Sequence, residues 1–189
     1  MRHYSVADKF IGDAVMAHWG TATTSGNPKQ DALNCVVSAL MMRAAVHRMN
    51  NARRAGDKEN PPIHIGCGIN TGIVTAGQIG SEQRMEYTVI GDAVNLASRI
   101  ESLNKPLGTD ILISENTWRM IKNYILYEEM PPVTVKGKEK PVRIFAVINL
   151  AANNKGPKTL EHVRRILGIK PPKMIGDISA DEQKYKITG

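Results

Sequence analysis

The chain has 189 residues, with 25 Lys and Arg against 18 Asp and Glu and a formal net charge of +7, a length that suits one domain with a sizeable core and a tail. No apolar run approaches the roughly 18 residues of a membrane span, and aromatic residues are few, so we expect an anionic small molecule as ligand, no nucleic acid and no membrane contact by this segment. Two cysteines without CxxC spacing favour free thiols in a reducing, cytoplasmic compartment.

The first predicted element is a hairpin from Tyr4 to Trp19, because short apolar runs flank Gly12-Asp13. Glycine tolerates positive φ and aspartate can bond its own backbone, so this pair suits a tight turn. Asp13 could hold a metal ion at such a turn, although from this segment alone it could equally be an aspartate that caps the turn. Lys9, taken alone, is a solvated lysine at the end of a strand.

A long helix is predicted from Asp31 to Arg53, with a wide apolar face that suggests packing on a sheet. The segments 63–69 and 72–79 are predicted to pair as strands, joined by a tight turn at Asn70-Thr71-Gly72. The glycines around Cys67 lack the Lys-Ser/Thr ending of a phosphate-binding loop and are assigned a structural role.

A second polar segment follows, with a predicted strand from Glu86 to Ile90 and a helix from Asp92 to Leu103. Asn95 and Arg99 are four residues apart, so both side chains lie on one stripe of this helix and can address one ligand. Taken alone, Thr88 is a β-branched strand residue and Arg99 a surface arginine near an acidic neighbour.

The remaining elements alternate between strand and helix, without a Rossmann glycine fingerprint. We predict a strand at 110–114, a helix at 115–123 and two edge-like strands at 127–135 and 142–150, around a basic turn that contains Lys136. We place a domain at residues 1–150 and a polar, basic tail at 151–189, with a short helix at 160–167.

The segments 8–17, 86–99 and 135–138, in this order, resemble the catalytic domains of the class III nucleotide cyclases. The resemblance covers residues 8–147 and implies an α+β fold, a ferredoxin-like α/β sandwich. It also implies an adenylyl cyclase that converts ATP into 3′,5′-cyclic AMP and pyrophosphate with two Mg or Mn ions. The first metal aspartate of that family lies on an opening strand upstream of Lys9, and we expect that strand and its helices to be lacking here.

The resemblance assigns adenine recognition to Lys9 and Thr88. A lysine can donate to the N1 acceptor of adenine, whereas guanine carries N1–H at that place, so Lys9 favours ATP over GTP. The threonine hydroxyl can accept from the adenine amino group, but it can also donate, and it therefore discriminates less rigidly than the aspartate that many relatives carry there.

The resemblance also assigns the chemistry of the reaction. Asp13 is the metal carboxylate, Asn95 orients the ribose, Arg99 stabilises charge on the α-phosphate and Lys136 binds the triphosphate. For Lys136, a solvated basic hairpin tip is an equal alternative. Asp8 is no easy substitute for the missing aspartate, because alternation along a strand points it away from Lys9.

Family members work as head-to-tail dimers, in which each site takes groups from both subunits. This chain carries residues for both halves, so we expect a homodimer with two equivalent sites. Two alternatives stay open: a catalytically inactive pseudo-cyclase or regulatory dimerisation domain and, less favoured, a guanylyl cyclase. The chain could also be the cytoplasmic part of a longer membrane or sensor protein.

Overall fold

A computed structural model describes residues 5–57, 59–81, 84–135, 141–172 and 185–187 of the chain. The strands are β1 (Ser5–Ile11), β2 (Ala14–Trp19), β3 (Cys67–Ile69), β4 (Thr75–Ser81), β5 (Arg84–Ile90), β6 (Ile111–Ser114), β7 (Ile125–Glu129), β8 (Val133–Val135), β9 (Ile144–Leu150) and β10 (Tyr185–Ile187). The helices are α1 (Pro28–Gly56), α2 (Asp92–Ser102), α3 (Asn104–Leu107), α4 (Glu115–Ile121) and α5 (Leu160–Leu167), with a 3-10 turn at Lys122–Tyr124. Within these residues no helix is both long and apolar enough to cross a bilayer.

The centre of the fold is a four-stranded sheet in the order β3-β6-β9-β7. Strands β3 and β6 run parallel, whereas β9 is antiparallel to both β6 and β7. Successive side chains of a strand point to opposite faces, and β9 follows this rule: Ile144, Ala146 and Ile148 pack in one apolar cluster, and Phe145 and Val147 in another. Helices therefore cover both faces of the sheet, which confirms the expected α+β sandwich.

Each apolar cluster has its own helices. The first joins β9 to α2, α3 and α5, through Leu96, Ile100, Leu107, Leu160 and Val163. The second joins β9 to α1 and α4, through Ala32, Val36, Ala39 and Ile121. The predicted short helix at 160–167 is confirmed and belongs to the core, since Val163 is fully buried. The predicted tail thus contains a core element, while the domain boundary at residue 150 stays a prediction.

Helix α2 lies unusually close to β3. A Cβ atom added to Gly68 would overlap the backbone of Ala97 and Glu101 on α2, so only glycine permits this approach. Gly91, which connects β5 to α2, has a φ of 145°, another conformation that favours glycine. These two positions fix where α2 begins and how it packs.

A buried ion pair holds α1 against the sheet. The Arg43 guanidinium donates to both carboxylate oxygens of Asp110, at 2.6 and 2.8 Å, and to the carbonyl oxygens of Val147 and Ile148, each at 2.6 Å. A buried charge is tolerated only when it is paired and hydrogen-bonded in this way. The sequence analysis did not anticipate this role for Arg43.

The remaining strands form two-stranded ribbons, β1–β2, β4–β5 and β8–β10. The predicted hairpin is confirmed, with Ile11 paired to Ala14 across the Gly12-Asp13 turn. Its register shifts between Ala7 and Lys9, so Asp8 is the extra residue of a β-bulge. Large apolar side chains are exposed on these ribbons and beside them, most of all Phe10 (81%) and Ile73 (96%).

Several predicted elements differ from the structure. The pairing of 63–69 with 72–79 is wrong: β3 pairs with β6 and β4 pairs with β5, because Asn70 binds the carbonyl of Ala93 and the chain leaves the sheet there. Strand β9 is not an edge, since it pairs on both sides and six of its seven residues are buried. Helix α1 begins earlier, because Asn27 caps it and Pro28 fits its first turn.

Candidate active site

Asp13 lies at the tip of the β1–β2 hairpin and is exposed. Gly12 before it has a φ of 63°, the left-handed conformation that a turn of this kind requires. Partial burial raises the pKa of Glu101 on α2, and the negative charge of Asp13 raises it further. The hairpin tip therefore brings the Asp13 carboxylate close enough to α2 to repel a second carboxylate.

The exposed Asp13 carboxylate could serve as a ligand for a divalent cation. Mg and Mn prefer hard oxygen ligands of this kind. In the part of the chain that the structure describes, however, no group of three or more His, Cys, Asp or Glu is arranged to hold a metal ion. Asp13 thus suits the expected role of one carboxylate ligand, while the described residues of a single chain do not assemble the full two-ion site.

Lys9 lies on β1 beside the bulged residue Asp8. Its ammonium nitrogen is 3.8 Å from Asp8 Oδ1 and 3.8 Å from Glu86 Oε2. Both separations exceed a hydrogen bond, so these carboxylates attract the ammonium without fixing its N–H groups. The side chain is 33% exposed, which leaves it accessible to a ligand.

Asp8 connects the lysine to the threonine. Thr88 Oγ1 donates to Asp8 Oδ2 at 2.7 Å, and the backbone N–H of Val89 points to the same oxygen at 3.4 Å. The expectation that Asp8 points away from Lys9 is wrong, because the bulge interrupts the alternation of β1. Asp8 is nevertheless no metal ligand of the expected kind, since its side chain is 1% exposed and bonded to Thr88.

His18 of β2 completes this buried cluster. Its Nε2 atom lies 3.8 Å from Asp8 Oδ2, and its Nδ1 atom is hydrogen-bonded to Thr21 Oγ1 at 2.7 Å. Burial lowers the pKa of His18, and the Asp8 carboxylate partly opposes this shift. Within the described residues, neither Asp8 Oδ1 nor His18 Nε2 has a hydrogen-bond partner.

Asn95 and Arg99 share one stripe of α2, as their spacing predicts. Asn95 is exposed and Arg99 is half-buried, so both side chains have access to solvent. The strand that carries Thr88 leads through Gly91 directly into this helix, and Glu101, near Asp13, follows Arg99 by two residues. Helix α2 therefore connects the strand that carries Thr88 to the region near the Asp13 carboxylate at the hairpin tip.

Lys136, the expected triphosphate ligand, lies outside the described residues. Of the other predicted site residues, the structure brings Lys9 and Thr88 together through Asp8 and places Asn95 and Arg99 on one helix. Sequence reasoning missed His18 and Glu101 as neighbours of the site, and it set Asp8 aside. The only sequence signal for these three is that ionisable residues occur in otherwise apolar or amphipathic elements.

Neither cysteine has the properties of a reactive thiol. Cys35 and Cys67 are free thiols, as predicted. Burial raises the pKa of each to about 12, so the thiolate that would act as a nucleophile or metal ligand is suppressed. Their role is packing between α1 and the sheet.

Comparison with known proteins shows the family of this chain. The family described as "Adenylate and Guanylate cyclase catalytic domain" matches residues 3–149. An adenylate cyclase of Anabaena cylindrica is 38% identical over 146 residues, which cover 74% of this chain and 27% of the relative. The chain thus spans about a quarter of the length of that relative.

Two solved structures share the fold. The adenylyl cyclase CyaB from P. aeruginosa superposes with a TM-score of 0.72 at 36% identity, over 82% of this chain and 76% of that one. The guanylyl cyclase Cya2 superposes with a TM-score of 0.67 at 31% identity, over 83% and 76%. On the strength of the family match and these likenesses, the chain belongs to the class III nucleotide cyclases, the adenylate and guanylate cyclase catalytic domain family.

Proposed function

We propose that this chain is the catalytic domain of an adenylyl cyclase, which converts ATP into 3′,5′-cyclic AMP and pyrophosphate in a signalling role. The observation that carries the proposal is the buried contact that connects Lys9 to Thr88 through Asp8 at one end of β1 and β5. A donor from Lys9 and an acceptor from Thr88 match the N1 and 6-amino groups of adenine. The same pair fits guanine poorly, because guanine carries N1–H and a 6-oxo group.

The reaction joins the ribose 3′ oxygen to the α-phosphorus and breaks the bond from that phosphorus to the bridging oxygen. Pyrophosphate leaves, and the proton of the 3′ hydroxyl passes to solvent. Asn95 holds the ribose, and the planar, permanently charged Arg99 meets the charge that develops on the α-phosphate. Lys136 binds the triphosphate. A divalent metal held by Asp13 would, when bound, activate the 3′ hydroxyl and neutralise the leaving group.

The proposed assembly is a head-to-tail homodimer. Among the residues that the structure describes, a single chain offers one clear metal carboxylate and exposes large apolar side chains, Phe10 and Ile73 above all. Exposed apolar surface of this kind is typical of a protein interface. The second subunit would cover it and contribute groups to each site. A cytoplasmic location belongs to the same proposal, and the free thiols of Cys35 and Cys67 support it.

The test is cyclic AMP formation by the purified chain with ATP and manganese. We expect product from the unmodified chain and loss of product in Asp13→Ala. Glu128→Gln, which removes an exposed carboxylate from β7, is the matched control and should keep the activity. Activity that survives Asp13→Ala would contradict the metal assignment.

Two alternatives have specific support. A guanylyl cyclase is favoured by the likeness to Cya2, and faster turnover of GTP than of ATP would establish it in place of our proposal. An inactive or regulatory cyclase domain is favoured by the absence of a three-ligand metal cluster from the described residues. Tight ATP binding without product would support that second alternative.

A further inference from the structure

The weak point of adenine recognition by Thr88 is that a hydroxyl is ambivalent. It has one proton to donate and two lone pairs that accept, and its proton rotates to suit the partner. Such a group can accept from the 6-amino group of adenine, and it can donate equally well to a 6-oxo group. Unless a second acceptor takes the hydroxyl proton, Thr88 does not discriminate between the two bases.

In the structure, the Asp8 carboxylate accepts the hydroxyl proton of Thr88. Asp8 Oδ2 accepts from Thr88 Oγ1 at 2.7 Å, and a carboxylate oxygen can only accept. With the proton directed to Asp8, the lone pairs of the hydroxyl are what remains for a ligand. Because Thr88 is 4% exposed, a base could reach only a small part of it, and this part would then be an acceptor.

The position of Asp8 follows from the β1 bulge. The extra residue between Ala7 and Lys9 turns the carboxylate towards β5, where the N–H of Val89 also points to Oδ2. The side chain is 1% exposed, with Lys9 and His18 each 3.8 Å away. Its second oxygen has no hydrogen-bond partner among the described residues. Burying a carboxylate in this incomplete state is costly, which points to a role beyond packing.

We propose that Asp8 is a positioning residue for substrate choice: by accepting the Thr88 proton, it makes Thr88 an obligate acceptor that selects a 6-amino purine and rejects a 6-oxo purine. This inference rests on the proposed function, because it concerns the same base-reading site. Asp8 itself does not touch the nucleotide. It acts through Thr88, whose hydroxyl would otherwise be free to donate.

The test measures binding without turnover. The probes are 3′-deoxy-ATP and 3′-deoxy-ITP, which lack the attacking hydroxyl and differ at the 6-position and at N1. Dissociation constants are measured for the 189-residue chain and for Asp8→Asn and Asp8→Ala. We expect Asp8→Ala, which has no acceptor for the Thr88 proton, to bind the inosine probe roughly three- to tenfold more tightly, as one hydrogen bond allows, and the adenosine probe within about twofold of the unmodified chain. Asp8→Asn keeps an acceptor oxygen without the charge, so it should bind both probes as the unmodified chain does. A structural role alone would weaken both probes together.

A double-mutant cycle separates Thr88 from Lys9. In a Thr88→Val background the hydroxyl is missing, so Asp8→Ala should no longer improve binding of the inosine probe. An effect of Asp8 through the charge of Lys9 would persist in that background. Glu128→Gln again serves as control for the loss of one carboxylate, and thermal unfolding of every variant checks that the fold is kept.

The outcomes distinguish this inference from the proposed function. If the unmodified chain prefers the adenosine probe and Asp8→Ala keeps the same ratio, the role of Asp8 is overturned while the adenylyl cyclase proposal stands. If the improvement survives in Thr88→Val, the role of Asp8 through Thr88 is overturned as well. If the unmodified chain binds both probes equally, or neither, adenine recognition fails and both proposals fall.

Discussion

Two sets of buried polar side chains, one at the four-stranded sheet and one in the β1–β2 ribbon, differ in whether their hydrogen bonds are satisfied. In the sheet region, the buried Arg43 and Asp110 are bonded to each other, and Arg43 also donates to two backbone carbonyls. In the ribbon region, Asp8 Oδ1 and His18 Nε2 are buried without a hydrogen-bond partner among the described residues. The Arg43–Asp110 pair is thus satisfied within the chain, whereas the Asp8–His18 cluster keeps polar atoms that a substrate or a second subunit could satisfy.

This difference separates stability from recognition. Interactions that complete a core set the free energy of unfolding, while incompletely satisfied groups collect where a protein binds something else. We therefore expect substitutions in the sheet region to act first on unfolding. Substitutions in the ribbons should act first on assembly and substrate choice.

The largest effect is expected for Arg43→Met. Removal of one partner leaves the Asp110 carboxylate buried and uncompensated, which costs about 3–5 kcal/mol in the free energy of unfolding. Urea unfolding monitored by circular dichroism measures this loss. Arg48→Met, at an exposed position of the same helix, is the control and should change the value by less than about 0.5 kcal/mol.

The double variant Arg43→Met with Asp110→Leu sharpens the interpretation. It removes both charges together, so much of the lost stability should return, since a buried pair is often replaceable by apolar groups. A double variant that is no more stable than Arg43→Met alone would show that the contacts of Arg43 with Val147 and Ile148 dominate.

The next effect is expected for Gly68→Ala, which places a methyl group against the backbone of α2. The helix must shift, at a cost of about 1–3 kcal/mol, as is typical of overpacking. Because α2 carries Asn95 and Arg99, cyclase activity should fall together with stability. Gly77→Ala on β4 is the matched control: its added Cβ meets open space, and both properties should be unchanged.

A smaller effect on stability, but a large one on assembly, is expected for Ile73→Asp. Ile73 is 96% exposed, so the free energy of unfolding of the monomer should change by less than about 0.5 kcal/mol. If the exposed side chain of Ile73 lies in the dimer interface, sedimentation velocity should show at least tenfold weaker dimerisation of Ile73→Asp than of the unmodified chain. Met41→Asp, at an exposed position of α1, should leave dimerisation unchanged, and equal weakening by both variants would contradict the assignment of the interface.

The parts of the fold that sequence predicted well are local. The Gly12-Asp13 turn, the start of α2 after Gly91 and the short helix α5 each depend on neighbouring residues, and all three are present. The strand partners were missed, because β3 pairs with β6, about forty residues on, and no local alternation encodes that choice. The buried Arg43 was missed for the same reason, since its partner Asp110 is 67 residues away.

The candidate site divides in the same way. The stripe of Asn95 and Arg99 follows from helical spacing and is present on α2. The link from Lys9 to Thr88 could not be predicted, because it needs a bulge that shifts Asp8 out of the normal alternation. A one-residue bulge leaves no mark in the spacing of apolar residues, so a strand that is assumed to be regular points Asp8 the wrong way.

The finest effect tests the ribbon itself, through the pKa of His18. Burial lowers this pKa and the Asp8 carboxylate opposes the shift, so Asp8→Asn should lower it further, while Glu128→Gln should not. NMR titration of the imidazole measures the change, and a pKa that rises in Asp8→Asn would contradict the contact.

The lowered pKa of His18 also makes the stability of the fold depend on pH. The ordinary pKa of histidine is about 6.5, and the folded chain keeps His18 neutral at pH values somewhat below it. The free energy of unfolding should therefore fall as the pH drops through about 6.5 towards the lowered pKa, and it should fall more without the Asp8 charge. A slope in this pH range that is larger in Asp8→Asn than in the unmodified chain or in Glu128→Gln would mean that the Asp8 carboxylate acts on His18 in the folded state.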